Sequence, residues 1–325
     1  MSVLSKPYFH NEAEAFAFVE SVLWAQGPVC PHCGAMGRVY VLAGVRTKAT
    51  KKNPEGVVRE GLKKCGDCRK QFTVRIGTIF EESHLPLHKW LQAIFLMCSS
   101  KKGVSSHQLH RTLEVTYKTA WFLSHRIREA MRDGELAPFG GGGGIVEVDE
   151  TFQGQDPDAA PSKMAIRNKN AILTLVERGG RARSIVMPVD QLNAANIAEV
   201  LSVNVVKEAR LRTDEAKHYI TPGKAYAEHQ SVAHAREEYV SKDDPTVHTN
   251  TVEGFYSIFK RGMKGVYQHC SKKHLHRYAA EFDFRYSNRI ALGVDDKARA
   301  VTALKGVVGK RLTYRRPHDG LNARG

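Results

Sequence analysis

The sequence predicts a multidomain protein: a cysteine-held metal module and a helical region, followed by an α/β domain with a mixed sheet. Three observations predict it. Four of the six cysteines stand in two C-x-x-C pairs, Cys30/Cys33 and Cys65/Cys68. Five consecutive glycines, 140–144, interrupt the chain, a run that carries a large entropic cost inside a helix or strand. Apolar residues recur at helical spacing before that run and alternate after it. The boundaries expected are 1–80 for an N-terminal helix and the metal module, and 81–139 for a helical helix-turn-helix region. A glycine linker at 140–144, an α/β core at 145–290 and a basic, flexible tail at 291–325 complete the chain.

In the first segment, "NEAEAFAFVESVLW" reads as a helix capped by Asn11, with Phe16, Val19 and Leu23 on one stripe. The cysteine segment, 30–75, has strand-turn character. Each C-x-x-C turn brings two thiolates to one ion, and two such turns close a tetrahedron around Zn²⁺, so a structural zinc ribbon is expected. "TKATKKNPEG" forms the tip of its long hairpin. Cys98 and Cys270 read as small buried hydrophobes on helical faces.

"LPLHKWLQAIFLMCSS" is a further helix. After it, "SSHQLHRTL", capped by Ser105, the turn "EVTY" and "KTAWFLSHRIREAM" form a helix-turn-helix. Lys118, Arg126 and Arg128 on the second helix are expected to face DNA. A plain helical hairpin fits the same pattern.

Beyond the glycines, "IVEVDETF" alternates as a strand, and "NAILTLVERGGRARSIVMPVD" is a hairpin turning at Gly179-Gly180. "NAANIAEVLSVNVVKEA" is a helix and "RLRTDE" a short strand ending in acids. "HTNTVEGFYSIFKR" starts a helix, with Asn250 as cap and Glu253 completing a capping box.

Charge narrows the function. Lys and Arg number 49 against 34 Asp and Glu, a formal +15, which favours a polyanionic partner such as nucleic acid. No apolar run is long enough to span a bilayer and the first residues lack the core of a signal peptide, so a cytoplasmic protein with reduced cysteines is expected. Three acids are then singled out by placement. Asp149 lies at the centre of the first strand after the glycines, Asp214 ends a later strand, and Glu253 begins a helix. Burying a carboxylate at the centre of a strand is costly unless a cation or hydrogen bonds compensate. Acids on two strands and a following helix suit a pair of Mg²⁺ ions and in-line phosphoryl transfer. Other roles stay open at this point: Asp149 as a solvent-exposed edge residue, Asp214 as the N-cap of "EAKHY" and Glu253 in the capping box.

The segments "GIVEVDETF", "RTDEAKHY", "SVAHAREEYV" and above all "HTNTVEGFYSIFKRGMKGVYQHCSKKHLHRYAAEFDFRYSNR" resemble the transposase domain of bacterial insertion sequences of the ISXO two-like group, insertion-sequence family 1595. The resemblance implies an RNase H-like core, a DDE-type active site, and transposon-end and target double-stranded DNA as substrates. It makes Asp149, Asp214 and Glu253 the Mg²⁺- or Mn²⁺-binding acids, with Lys260 a basic residue on the same helix and Arg261 beside it on DNA. Asn250 is then a cap or outer support for the ion. It also implies a homodimer or higher assembly, because two transposon ends must meet. A non-enzymatic zinc-ribbon DNA-binding regulator and a structure-specific nuclease are the alternatives.

Overall fold

The computed structural model describes residues 2–51, 53–132, 137–158, 165–233 and 240–312. Two compact units divide them: the described residues of Met1–Ser99, Ser105–Met131 and Asp296–Gly325 form one, and those of Ser100–Val104 and Arg132–Asp295 the other.

The first unit begins with α1 (Glu12–Leu23), where Asn11 accepts the Glu14 N–H as N-cap and Phe16 and Val19 are buried, as their spacing requires. A small antiparallel sheet follows in the order β1 (Val39–Val41), β2 (Lys63–Cys65), β3 (Gln71–Phe72). Between β1 and β2 the hairpin continues through an Arg46–Val58 bridge to a turn closed by mutual Thr50–Asn53 backbone bonds. Helices α2 (Leu87–Ser99), α3 (Ser106–Leu113) and α4 (Tyr117–Met131) complete the N-terminal part, with Ser105 capping α3 through the Gln108 N–H.

Two expectations change here. Residues 296–305, expected in a flexible tail, form helix α9 (Asp296–Lys305), which packs on α1, α2 and α4. Arg299 is buried and donates to the Cys98 carbonyl at 2.9 Å, so the basic composition masked an inward cation. The last part of that expected tail, 313–325, lies outside the described residues. Cys98 is buried in α2, but Cys270 is half-buried and sits in a loop rather than on a helix.

The second unit is built on a five-stranded sheet. Its strands are β4 (Ile145–Gln153), β5 (Asn170–Glu177), β6 (Ala182–Pro188), β7 (Arg210–Asp214) and β8 (Glu228–Val232), in the order β6-β5-β4-β7-β8. β4, β5 and β6 are antiparallel neighbours, whereas β7 pairs parallel with β4 and β8 parallel with β7. This is the RNase H-like mixed sheet. The edge strand β8 lacks an apolar pattern and could not be read from the sequence.

Alternation along the strands divides the core. Val146, Val148, Leu173 and Leu175 face α5 (Ala194–Asn204) and α6 (Lys217–Gly223), with Ile197, Leu201 and Tyr219 opposite them. Ile172, Val176 and Ala182 face α7 (Asn250–Gly262) and α8 (Lys272–Ser287), against Val252, Phe255, Phe259 and Phe282. Each valine, leucine, isoleucine or phenylalanine among them contributes about 1.5–3 kcal/mol by leaving water.

The glycine run is not a free linker. Gly140 donates its N–H to Glu177 at 2.9 Å, and at φ +84° a Cβ there would lie 2.3 Å from the Ala209 Cβ. Phe139 is buried beside it, its ring covered by Arg181 and Arg183. The division between the units falls at Met131/Arg132, ahead of the glycines. The glycines make the close turn that leads into β4.

Candidate active site

Parallel pairing sets the position of two acids. Glu147 is level with Arg212, and the same register carried two residues further brings Asp149 beside Asp214 on adjacent strands. Asp214 ends β7 and accepts the Ala216 N–H at 3.0 Å, so it shapes the turn into α6 while standing at the carboxyl end of its strand. Asp149 accepts the Glu150 N–H at 2.8 Å and is half-buried. Burial pushes its pKa up to about 7, helped by the charges of Glu150, Asp214 and Glu253. One field thus links the three acids singled out in the sequence.

The third acid stands on α7, and the way α7 starts differs from the capping box expected. Asn250 is the first helical residue rather than the cap, and the capping position, Thr249, makes no side-chain cap bond. The free backbone donors go instead to Glu147, which is fully buried on β4. Glu147 accepts the N–H groups of Thr251 at 2.8 Å and Val252 at 2.9 Å, and the Thr251 hydroxyl at 2.7 Å. A whole carboxylate at a helix N-terminus satisfies two orphan donors and meets the positive end of the helix dipole. The Glu253 side chain, relieved of capping, accepts the Thr249 hydroxyl at 3.0 Å.

Glu147 lies two residues before Asp149 on β4 and so shares its face of the sheet. Arg178, at the hairpin after β5, donates to Glu147 at 2.6 Å and also to the carbonyls of Thr246 and His248. It therefore clamps the loop entering α7. Tyr256, one turn beyond Glu253, donates to the Asp149 carbonyl at 2.6 Å and the Ile172 carbonyl at 3.0 Å. The only sequence signal for it was its i+3 spacing from Glu253.

On the opposite face of β4, Glu150 receives the Tyr219 hydroxyl and lies 3.5 Å from His218. Burial alone would raise Glu150, but the nearby His218 imidazole and the Tyr219 hydroxyl hold it below the usual carboxylate range. Glu150 raises His218 in return, with the Asp214 charge adding to it.

The residues expected to face DNA separate into two groups. Lys118, Lys260 and Arg261 are exposed, Lys260 lying 5.8 Å over the Tyr256 ring and Arg261 bonding back to Ser257. Arg126 and Arg128, expected to face DNA, are buried. Arg126 lies between the Trp90 and Phe122 rings and donates to the carbonyls of Glu81 and Leu312. Arg128 donates to Ser124 at 3.0 Å. Their charges are spent on interior acceptors because the C-terminal half of α4 is enclosed on most of its circumference.

The cysteines meet as expected. Sγ of Cys30 is 3.7 Å from that of Cys68, and Sγ of Cys33 is 3.6 Å from that of Cys65. A tetrahedron with metal–sulfur bonds of about 2.3 Å has edges of about 3.8 Å, so the four sulfurs fit one zinc ion. Among the described residues, these sulfurs are the only three or more His, Cys, Asp or Glu ligand atoms lying within 4.8 Å of one another. The three carboxylates are therefore spread more widely than a single-ion cage.

The comparisons with known proteins fall on both modules. Residues 142–287 match the ISXO2-like transposase domain and residues 10–71 the transposase zinc-ribbon domain, both of insertion-sequence family 1595. Fold and motifs together define a transposase with an attached zinc ribbon. The chain belongs to the ISXO2-like transposases of insertion-sequence family 1595, whose two domains span well over half of it. An uncharacterized protein in transposable element ISH50 of Halobacterium salinarum is 25% identical over 299 residues, covering 85% of this chain and 91% of that protein. The Mos1 strand transfer complex matches at 15% identity and a TM-score of 0.28, covering 66% of this chain and 73% of that one. The Mos1 paired-end complex with left transposon end matches at 14% identity and a TM-score of 0.23, covering 62% and 76%. No helix among the described residues is long and apolar enough to cross a membrane.

Proposed function

We propose that this transposase cleaves DNA at the ends of its element and joins the freed 3′ ends to target DNA, using Asp149, Asp214 and Glu253 as its reactive carboxylates. The observation that carries the reading is placement: the β4–β7 register sets Asp149 beside Asp214 on adjacent strands, and Glu253, on the first turn of α7, is near enough for its charge to act on Asp149. Crowded carboxylates of this kind are hard oxygen donors suited to Mg²⁺ or Mn²⁺, and donors spread over more than one cage would hold a pair of ions. Bound there, such ions would supply Lewis acidity toward the phosphodiester and the attacking oxygen.

The chain's own residues do the positioning. Glu147 and Arg178 fix the start of α7 and so hold Glu253 toward the sheet, while Tyr256 ties α7 to the backbone at Asp149. Asn250 is exposed at the first turn and does not replace Glu253 as a ligand. Lys260 and Arg261 contact the DNA backbone from the same helix, and Lys118 does so from α4. A homodimer or larger assembly brings the two ends together. Cleavage and strand transfer with Mg²⁺ or Mn²⁺ on the DNA flanking the gene test the reading. Cutting and joining lost in Asp149→Ala, with DNA binding kept, support it. Cutting without joining would indicate a nuclease, and binding without either a regulator.

A further inference from the structure

The solvent face of the ribbon sheet presents a row that the active-site account does not use. Tyr40 on β1 is level with Lys64 on β2, and Lys64 is level with Gln71 on β3. All three are exposed, Tyr40 by 53%. Alternation separates them from the opposite face, where Lys63 is buried between the Trp24 ring and Glu20. Arg59 extends the row, donating to the Gln71 side chain at 3.1 Å. Arg69 and Lys70 are exposed at the turn leading into β3. The acids nearby do not cancel this charge: Asp67 lies 3.5 Å from Arg38, and Glu60 is half-buried. The Tyr40 ring rests against Gly66, where a Cβ would come within 3.1 Å of it, so the second cysteine turn holds the aromatic in place.

We propose that this face is a docking surface for the phosphate backbone of duplex DNA, with Lys64 and Arg59 as its central contacts. The deduction rests on the transposase reading and adds a second, sequence-independent grip in the zinc module. Extended cations on a flat sheet face a polyanion at low desolvation cost. Phosphate contacts of this kind position a protein without reading sequence. Because Lys64 and Arg59 are exposed and lie outside the sulfur cluster, replacing them leaves the zinc site and the fold intact.

The test uses the full zinc-loaded chain, with Arg59→Ser and Lys64→Ser combined. Fluorescence anisotropy is read on two labelled duplexes, one from the element's end and one of unrelated sequence, over a range of salt. The expected result is about ten-fold weaker binding to both duplexes, with a log K against log salt slope shallower by about 2, near 0.9 per lost phosphate contact. Zinc content and melting temperature stay at wild-type values. Unchanged affinity and slope would overturn the proposal. So would a loss confined to the element's end, since phosphates carry no sequence. If the wild-type chain binds neither duplex, the transposase reading itself fails, which separates the two ideas.

Discussion

Glu147 accepts the backbone N–H of Thr251 at 2.8 Å, so a carboxylate buried in the sheet caps the helix that carries Glu253. The same strand bears Asp149 two residues further on. Cap and candidate ligand are therefore fixed relative to each other by one stretch of backbone.

Breaking that cap has a stability consequence. Glu147→Ala leaves two helix donors and the Arg178 guanidinium without their acceptor, and removing one partner of a buried pair costs about 3–5 kcal/mol. Glu147→Gln keeps the shape and one oxygen, so it costs less. Denaturant unfolding of the two variants checks this, and equal stabilities would refute the capping role.

Asp149→Asn acts in the opposite direction. It removes a half-buried carboxylate crowded by Glu150, Asp214 and Glu253, so the metal-free protein melts higher than wild type at pH 8 while cleavage disappears. A lower melting temperature would mean the carboxylate is held by favourable bonds rather than by crowding.

Much of this was legible in advance, for reasons visible in particular residues. Matched C-x-x-C pairs, the alternation around Asp149 and the Gly179-Gly180 turn are local signals, and the structure follows them. Alternation along β4 places Glu147 on the face of Asp149, but its partners lie more than a hundred residues away and no local pattern announces a cap delivered across the sheet. The buried positions of Arg126, Arg128 and Arg299 were misread because a charge on a helix ordinarily faces water. Only the packing shows that aromatic rings and backbone carbonyls enclose them.

Arg126 provides a direct check of that correction. Arg126→Ala removes its bonds to the carbonyls of Glu81 and Leu312 and its packing on Trp90 and Phe122, so melting falls. The salt slope of DNA binding stays unchanged. Lys118→Ala is expected to lower that slope by about 1 with little change in melting.

Asp283 on α8 supplies a pH signature. Burial pushes its carboxyl up to about 7, although it accepts the Ser184 N–H at 2.8 Å and hydroxyl at 2.7 Å. The folded state thus holds a proton that the unfolded chain, with an ordinary value of 3.8, has released. Its contribution to stability is full at low pH and is lost as pH rises toward 7. Asp283→Asn removes this slope, so the stability difference between variant and wild type should grow in the variant's favour from pH 5 to pH 8. A difference independent of pH would contradict the raised value.

The central claim is that Asp149, Asp214 and Glu253 together hold the divalent cations of the reaction. Mn²⁺ binding, measured by calorimetry on wild type, Asp149→Asn, Asp214→Asn, Glu253→Gln and Asn250→Ala, tests it most directly. The account predicts at least about a ten-fold loss of affinity in each acid variant, near 1.4 kcal/mol or more, and wild-type affinity in Asn250→Ala. Wild-type binding in Glu253→Gln together with its loss in Asn250→Ala would contradict it.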